Sequence, residues 1–195
     1  MLILLPLLII ALTIHEFAHA FTAYKLGDET PKMQGRVTLN PLAHLDPLGT
    51  VMIILSSLAG FGIGWGKPVS FNPYNLKHPK RDTGLIAFAG PLSNILMAIT
   101  GLAILIISSN SLVSSIAVSF ILINVVLAAF NLIPIYPLDG FNVVLSILPK
   151  NLSEQFVETA KYGMYILLLL VFTGATKVVI NPIVGFVLGI IREII

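Results

Sequence analysis

The sequence predicts an all-α membrane protein, a bundle of about five to six transmembrane or re-entrant helices with a short β-strand or hairpin in the loop after the first helix. Three observations carry this expectation. Of 195 residues, 56% are hydrophobic and only 10% charged, against roughly 25% charged in a soluble domain, and the mean hydropathy is +0.97. The apolar residues fall in runs approaching or reaching the length needed to span a bilayer. Polar stretches rich in Pro and Gly separate those runs. Residues 1–195 are expected to form one membrane unit, because such segments use up the available length.

The first apolar run continues from the start to Leu26, about 37 Å of helix at 1.5 Å per residue. It lacks the charged n-region of a signal peptide, and Pro6 marks a kink or an effective start. Residues 25–47 turn polar, with Lys25, Lys32 and Arg36 among Gly and Pro, and "MQGRVTL" shows the alternation of a short strand near Val37. The next run, 48–63, has a clean apolar core of about 12–14 residues, a length typical of a re-entrant segment. Trp65 follows as an interfacial anchor. A second basic loop, 64–83, carries Lys67, Lys77, Lys80 and Arg81. If positive charge marks the cytoplasmic side, both loops lie there. Residues 84–107 form a span, "SSNSLVSS" an exoplasmic turn, and 116–132 the return. "NLIPIYPLDG" breaks that helix before a short amphipathic piece, Phe141 to Leu148, and apolar segments at 162–175 and 178–195 finish the chain.

The absence of Cys excludes disulfides, iron–sulfur clusters and thiolate metal sites, so any metal must be held by His, Asp or Glu. No basic run is interleaved with aromatic residues, and no nucleic-acid partner is expected. The expected surroundings are the lipid bilayer.

Within this apolar context, residues 13–20 read "TIHEFAHA". Residues four apart stack on one face of an α-helix, so His15 and His19 can reach one metal ion, with Glu16 beside them. This is the HExxH arrangement, in which two imidazoles bind Zn²⁺ and the Glu takes a proton from water. The motif is a weak signal in a soluble helix. In a membrane helix the alternative of two core histidines leaves Glu16 needing its own partner, and ionisable groups at that depth are functional by default. A catalytic zinc site usually has three protein ligands. Of the nine carboxylates, Asp139 alone sits in a Pro-framed apolar setting. Its expected depth suits the histidines, but an Asp before a short helix serves equally well as an N-cap. Spacing leaves the two readings level.

"HEFAH" and "NLIPIYPLDG", together with "GRVTLNPLAHLDPLGT", "GKPV" and "AGPLSN", resemble the site-2 protease family of intramembrane zinc metalloproteases, in particular its compact bacterial and archaeal members. The resemblance covers most of the chain, although no part of residues 1–195 resembles the PDZ or CBS domains of other members. It implies a single Zn²⁺ with Asp139 as third ligand beside His15 and His19, Glu16 as catalytic general base, and Asn131 positioning substrate or the oxyanion. Implied too are membrane-spanning or membrane-associated protein substrates, cut within or near the bilayer of the cell membrane; the basic loops put the expected active site nearer the cytoplasmic face. Water would reach it past the re-entrant segment and the 28–47 loop. A substrate would have to unwind, for which pairing with the strand near Val37 is a route.

Asn94 is a candidate for the substrate or oxyanion side of the site and equally for an interhelical hydrogen bond. Asn124, seven residues before Asn131, reads as structural, and His44 and Asp46 read as braces of the loop. A membrane protease with a Glu as third ligand is disfavoured by "PLDG". A metal transporter would show repeated halves or acidic groups on several helices, and neither is present.

Overall fold

A computed structural model gives the backbone of residues 3–58 and 66–194. In chain order the helices are α1 (Leu4–Lys25), α2 (Thr30–Met33), α3 (Pro47–Leu58), α4 (Pro79–Ile107), α5 (Ser111–Asn131), α6 (Asp139–Ile147), α7 (Lys150–Glu158), α8 (Ala160–Thr173) and α9 (Thr176–Ile194), with short 3₁₀ turns at Pro41–Ala43 and Pro73–Asn75. Three of them, α1, α4 and α5, are long and apolar enough to cross a membrane, and α7 with α8 makes a fourth candidate bent by 60°. The protein is an integral membrane protein built from helices. The 12 residues of α3 extend only about 18 Å, well short of the roughly 30 Å hydrocarbon core. Trp65, the expected anchor, lies outside the described residues.

Helix α4 is central, packed against α1, α5 and α6. Small residues let these backbones approach. A β-carbon on Gly101 would meet Ile121 Cγ1 of α5 at 2.8 Å, and one on Gly84 would collide with Ser146 of α6. An apolar cluster of Ala98, Leu105, Ala117, Ile121 and Ile191 joins α4, α5 and α9.

The two basic loops meet at one end of the bundle. Asp28 accepts from Asn72 N and Asn75 Nδ2, each at 2.7 Å. Arg36 donates to the carbonyls of Ala43 and Lys67, and Lys67 N donates to His44 O at 2.9 Å.

Two expectations need correction. The strand near Val37 does not form; among the described residues the pairing here is a single antiparallel bridge between Leu45 and Gly66. The Asn40 side chain caps the turn at Pro41–Ala43, and His44 Nε2 bonds Thr38 O at 2.8 Å. The chain is thereby folded back on itself and offers no extended edge. The polar turn expected over 108–115 is also shorter, because Asn110 accepts from Leu112 N and Val113 N and starts α5 at Ser111. The hydroxyls that follow bond back into the helix, Ser115 Oγ to Ser111 O at 2.8 Å.

Candidate metal centre

One helical turn apart on α1, His15 and His19 project into the bundle against α4, both buried. Their rings meet edge to face with centroids 4.6 Å apart. Each Nδ1 faces an oxygen, His19 toward Ile86 O at 2.7 Å and His15 toward Asn94 Oδ1 at 2.6 Å. An oxygen of either kind accepts a hydrogen bond, so both Nδ1 atoms carry a proton, and in the neutral ring each Nε2 then presents a lone pair. These two Nε2 atoms lie 3.0 Å apart.

Asp139 brings the third acceptor. It is the first residue of α6, with Leu138 in the cap position, and its Oδ2 lies 3.2 Å from His15 Nε2 and 3.3 Å from His19 Nε2. That oxygen is buried and receives no hydrogen bond. Of the two readings left level by the spacing, the carboxylate directed at the histidines is the one observed. Gly140 lets α6 begin there, since a β-carbon would strike Leu132 O and lie 2.6 Å from Ile133 O.

Three lone-pair atoms converging without a donor repel one another unless a positive charge sits among them. Ligands about 2.0–2.2 Å from a tetrahedral ion are about 3.3–3.6 Å from each other. The observed separations of 3.0–3.3 Å reach from the lower limit of that range to about 0.3 Å below it, so the three atoms need to spread only slightly to take an ion. A set of two imidazoles and one carboxylate, without sulfur, suits zinc.

Glu16 lies on the same cavity, about 730 Å³ in volume, whose lining includes His15, His19, Asn131, Asp139, Val69 and, from α8, Met164 and Leu168. Its Oε2 accepts from Val69 N at 3.1 Å, which ties the segment after α3 to the centre. Asn131 donates one amide N–H to Leu127 O at 3.0 Å. Asn94 is not on this cavity wall. It is wholly buried behind His15 and donates to Asn124 Oδ1 at 2.9 Å, while Asn124 donates to Phe120 O, also at 2.9 Å. His44 and Asp46 stay in the loop, the latter accepting from Gly49 N at 2.7 Å.

Gly90 of α4 belongs to the centre and escaped the sequence reading. A β-carbon there would fall 2.5 Å from His19 Cε1 and 2.6 Å from His15 Cε1. The visible signal, a Gly before Pro91 inside an apolar span, does not say which helix it faces.

A sequence profile described as Peptidase family M50 matches residues 107–171, a stretch that holds Asn131 and Asp139 but neither histidine. The protein named "Putative zinc metalloprotease YwhC" from Bacillus subtilis (strain 168) is 36% identical over 188 residues, 91% of this chain and 84% of its own length. Two relatives named "Putative zinc metalloprotease Rip2", from Mycolicibacterium smegmatis and Mycobacterium tuberculosis, are 28% and 29% identical over 86% of this chain, which spans 65% of their length. No solved structure matches the chain significantly.

Proposed function

The chain belongs to peptidase family M50, the site-2 protease family, and from that premise we propose that it is a zinc endopeptidase cutting membrane-spanning or membrane-associated proteins within or near the bilayer, as in regulated intramembrane proteolysis. His15, His19 and Asp139 hold one Zn²⁺. The observation that carries this reading is the convergence of two imidazole nitrogens and a carboxylate oxygen, 3.0–3.3 Å apart, the oxygen having no hydrogen-bond partner among the described residues. Bound there, zinc supplies Lewis-acid polarisation of a peptide carbonyl and makes water a stronger acid.

The remaining work falls to side chains of this protein. Glu16 holds one carboxylate oxygen on the Val69 N–H and has the other to accept a proton from the attacking water and return it to the leaving amine. Asn131, on the same cavity, keeps a second amide N–H beyond the one given to Leu127, a donor suited to a developing oxyanion. Lys67 stands beside the cavity-lining residues Gly66 and Pro68, in one of the two basic loops. This supports water entering from the end those loops share, which the positive-inside rule makes cytoplasmic. A substrate helix has its backbone bonds satisfied internally, so it must unwind before its carbonyl reaches His15 and Glu16.

Glu16→Gln tests the reading. In proteoliposomes with single-span substrates, the variant should keep its zinc and lose cleavage by about 10²–10⁴-fold, the usual worth of a general base. Wild-type cleavage by a zinc-loaded Glu16→Gln variant would overturn it.

A further inference from the structure

Behind His15 runs a chain of amide hydrogen bonds whose direction is set at its far end. The Phe120 carbonyl can only accept, so Asn124 must present Nδ2 to it, at 2.9 Å. Asn124 Oδ1 then faces Asn94, which must turn its own Nδ2 there, at 2.9 Å. Asn94 Oδ1 is left pointing at His15 Nδ1, 2.6 Å away. Each link permits one orientation of the next. Both asparagines are wholly buried, so water cannot substitute for a missing partner.

We propose that Asn94 and Asn124 are positioning residues that select the metal-binding tautomer of His15, with Asn124 acting through Asn94. The proposal rests on the zinc assignment above and assigns neither residue to substrate. Fixing the proton on Nδ1 keeps the Nε2 lone pair available to a metal and holds the ring in plane with it. His19 obtains the same service from the Ile86 carbonyl, a backbone atom that cannot flip. His15 relies on a side chain that can. Without the Asn124 oxygen, the Asn94 amide is free to turn its NH₂ toward His15 Nδ1, which moves the proton to Nε2 and removes the ligand.

The experiment uses the full-length chain in detergent and measures zinc affinity by competition with a chelator. Asn94→Leu and Asn124→Leu should each bind zinc about 10–100-fold more weakly than wild type. Asn94→Asp, which as the neutral acid retains an acceptor toward His15 and a donor toward Asn124 Oδ1, should regain most of the loss. Affinities within about twofold of wild type for both leucine variants, against the 10–100-fold expected, would overturn the proposal. So would an equal loss in Asn94→Asp and Asn94→Leu, which would reduce the role to packing. Nitrogen NMR of the zinc-stripped wild-type chain gives a reading independent of how the variants fold. The proton of His15 should reside on Nδ1, and a proton on Nε2 would overturn the relay. Failure of the zinc assignment looks different, because His15→Ala would then bind zinc as tightly as wild type.

Discussion

Adding one methyl group at Gly90 asks whether the packing of α4 on α1 sets the metal centre. In the interior of a helix, Gly→Ala ordinarily stabilises by about 0.8–1.0 kcal/mol. Here the added carbon would lie 2.5 Å from His19 Cε1 and 2.6 Å from His15 Cε1, where ordinary carbon contacts are about 3.5–4.0 Å. Relief requires the rings or the helix to move by about 1 Å, against a tolerance of about ±0.2 Å in metal–ligand distances. The rings cannot swing freely, since their Nδ1 atoms are held by Ile86 O and Asn94 Oδ1. Breaking either buried bond costs about 1–3 kcal/mol, which outweighs the gain in helix propensity. Zinc affinity in Gly90→Ala should therefore fall on the order of 100-fold, about 2.8 kcal/mol, measured by chelator competition on the full chain. Gly185→Ala is the control, because its β-carbon would meet nothing within 4 Å; it should leave zinc affinity unchanged. A Gly90→Ala variant that binds zinc like wild type would refute the packing argument.

Three further outcomes are expected. Asp139→Ala should weaken zinc binding along with cleavage, whereas loss of a mere N-cap would leave the metal in place and cost about 0.5–2 kcal/mol of stability; full zinc occupancy in the folded variant would reopen the choice of third ligand. Cysteines placed singly at Lys32 and Lys77 should label from the same face of the membrane, since Asp28 and Arg36 tie their loops together, and one at Ser111 from the other face; labelling of 32 and 77 from opposite sides would contradict the fold. At Asp28, burial alone pushes the carboxyl pKa up, but hydrogen bonds from Thr30, Asn75 and Asn72 outweigh it and hold the group below its ordinary value. A depressed folded pKa contributes stability that is full above the unfolded value, about 3.9, and is lost as pH falls through the folded one. The melting temperature of wild type should thus drop more steeply below about pH 4 than that of Asp28→Asn; parallel pH profiles would count against the clamp.

The membrane class and the positions of α1, α4 and α5 were legible in the sequence, because long apolar runs are local and hydrocarbon demands that the backbone satisfy itself within the run. His15 and His19 were legible as a pair for the same reason: four residues along a helix is a fixed displacement, whatever surrounds it. The strand near Val37 failed because alternation states only a preference. A strand needs a partner edge, and the bonds of Asn40 and His44 within the loop removed it. By spacing Asp139 stood level between cap and ligand, the family resemblance favoured the ligand, and the tertiary structure puts its Oδ2 3.2 Å from His15 Nε2. Asn94 had two readings of equal standing, and the depth of α4 against α5 decided that it faces Asn124 and His15. Gly90 carried no role of its own beyond its place in "AGPLSN", since a missing side chain signals only through what occupies its space. Asp139, the Asn94–Asn124 pair and Gly90 lie on different helices from the HExxH motif, so what they meet depends on distances between elements. Local periodicity states which face a helix buries, and only the packed bundle states what that face meets.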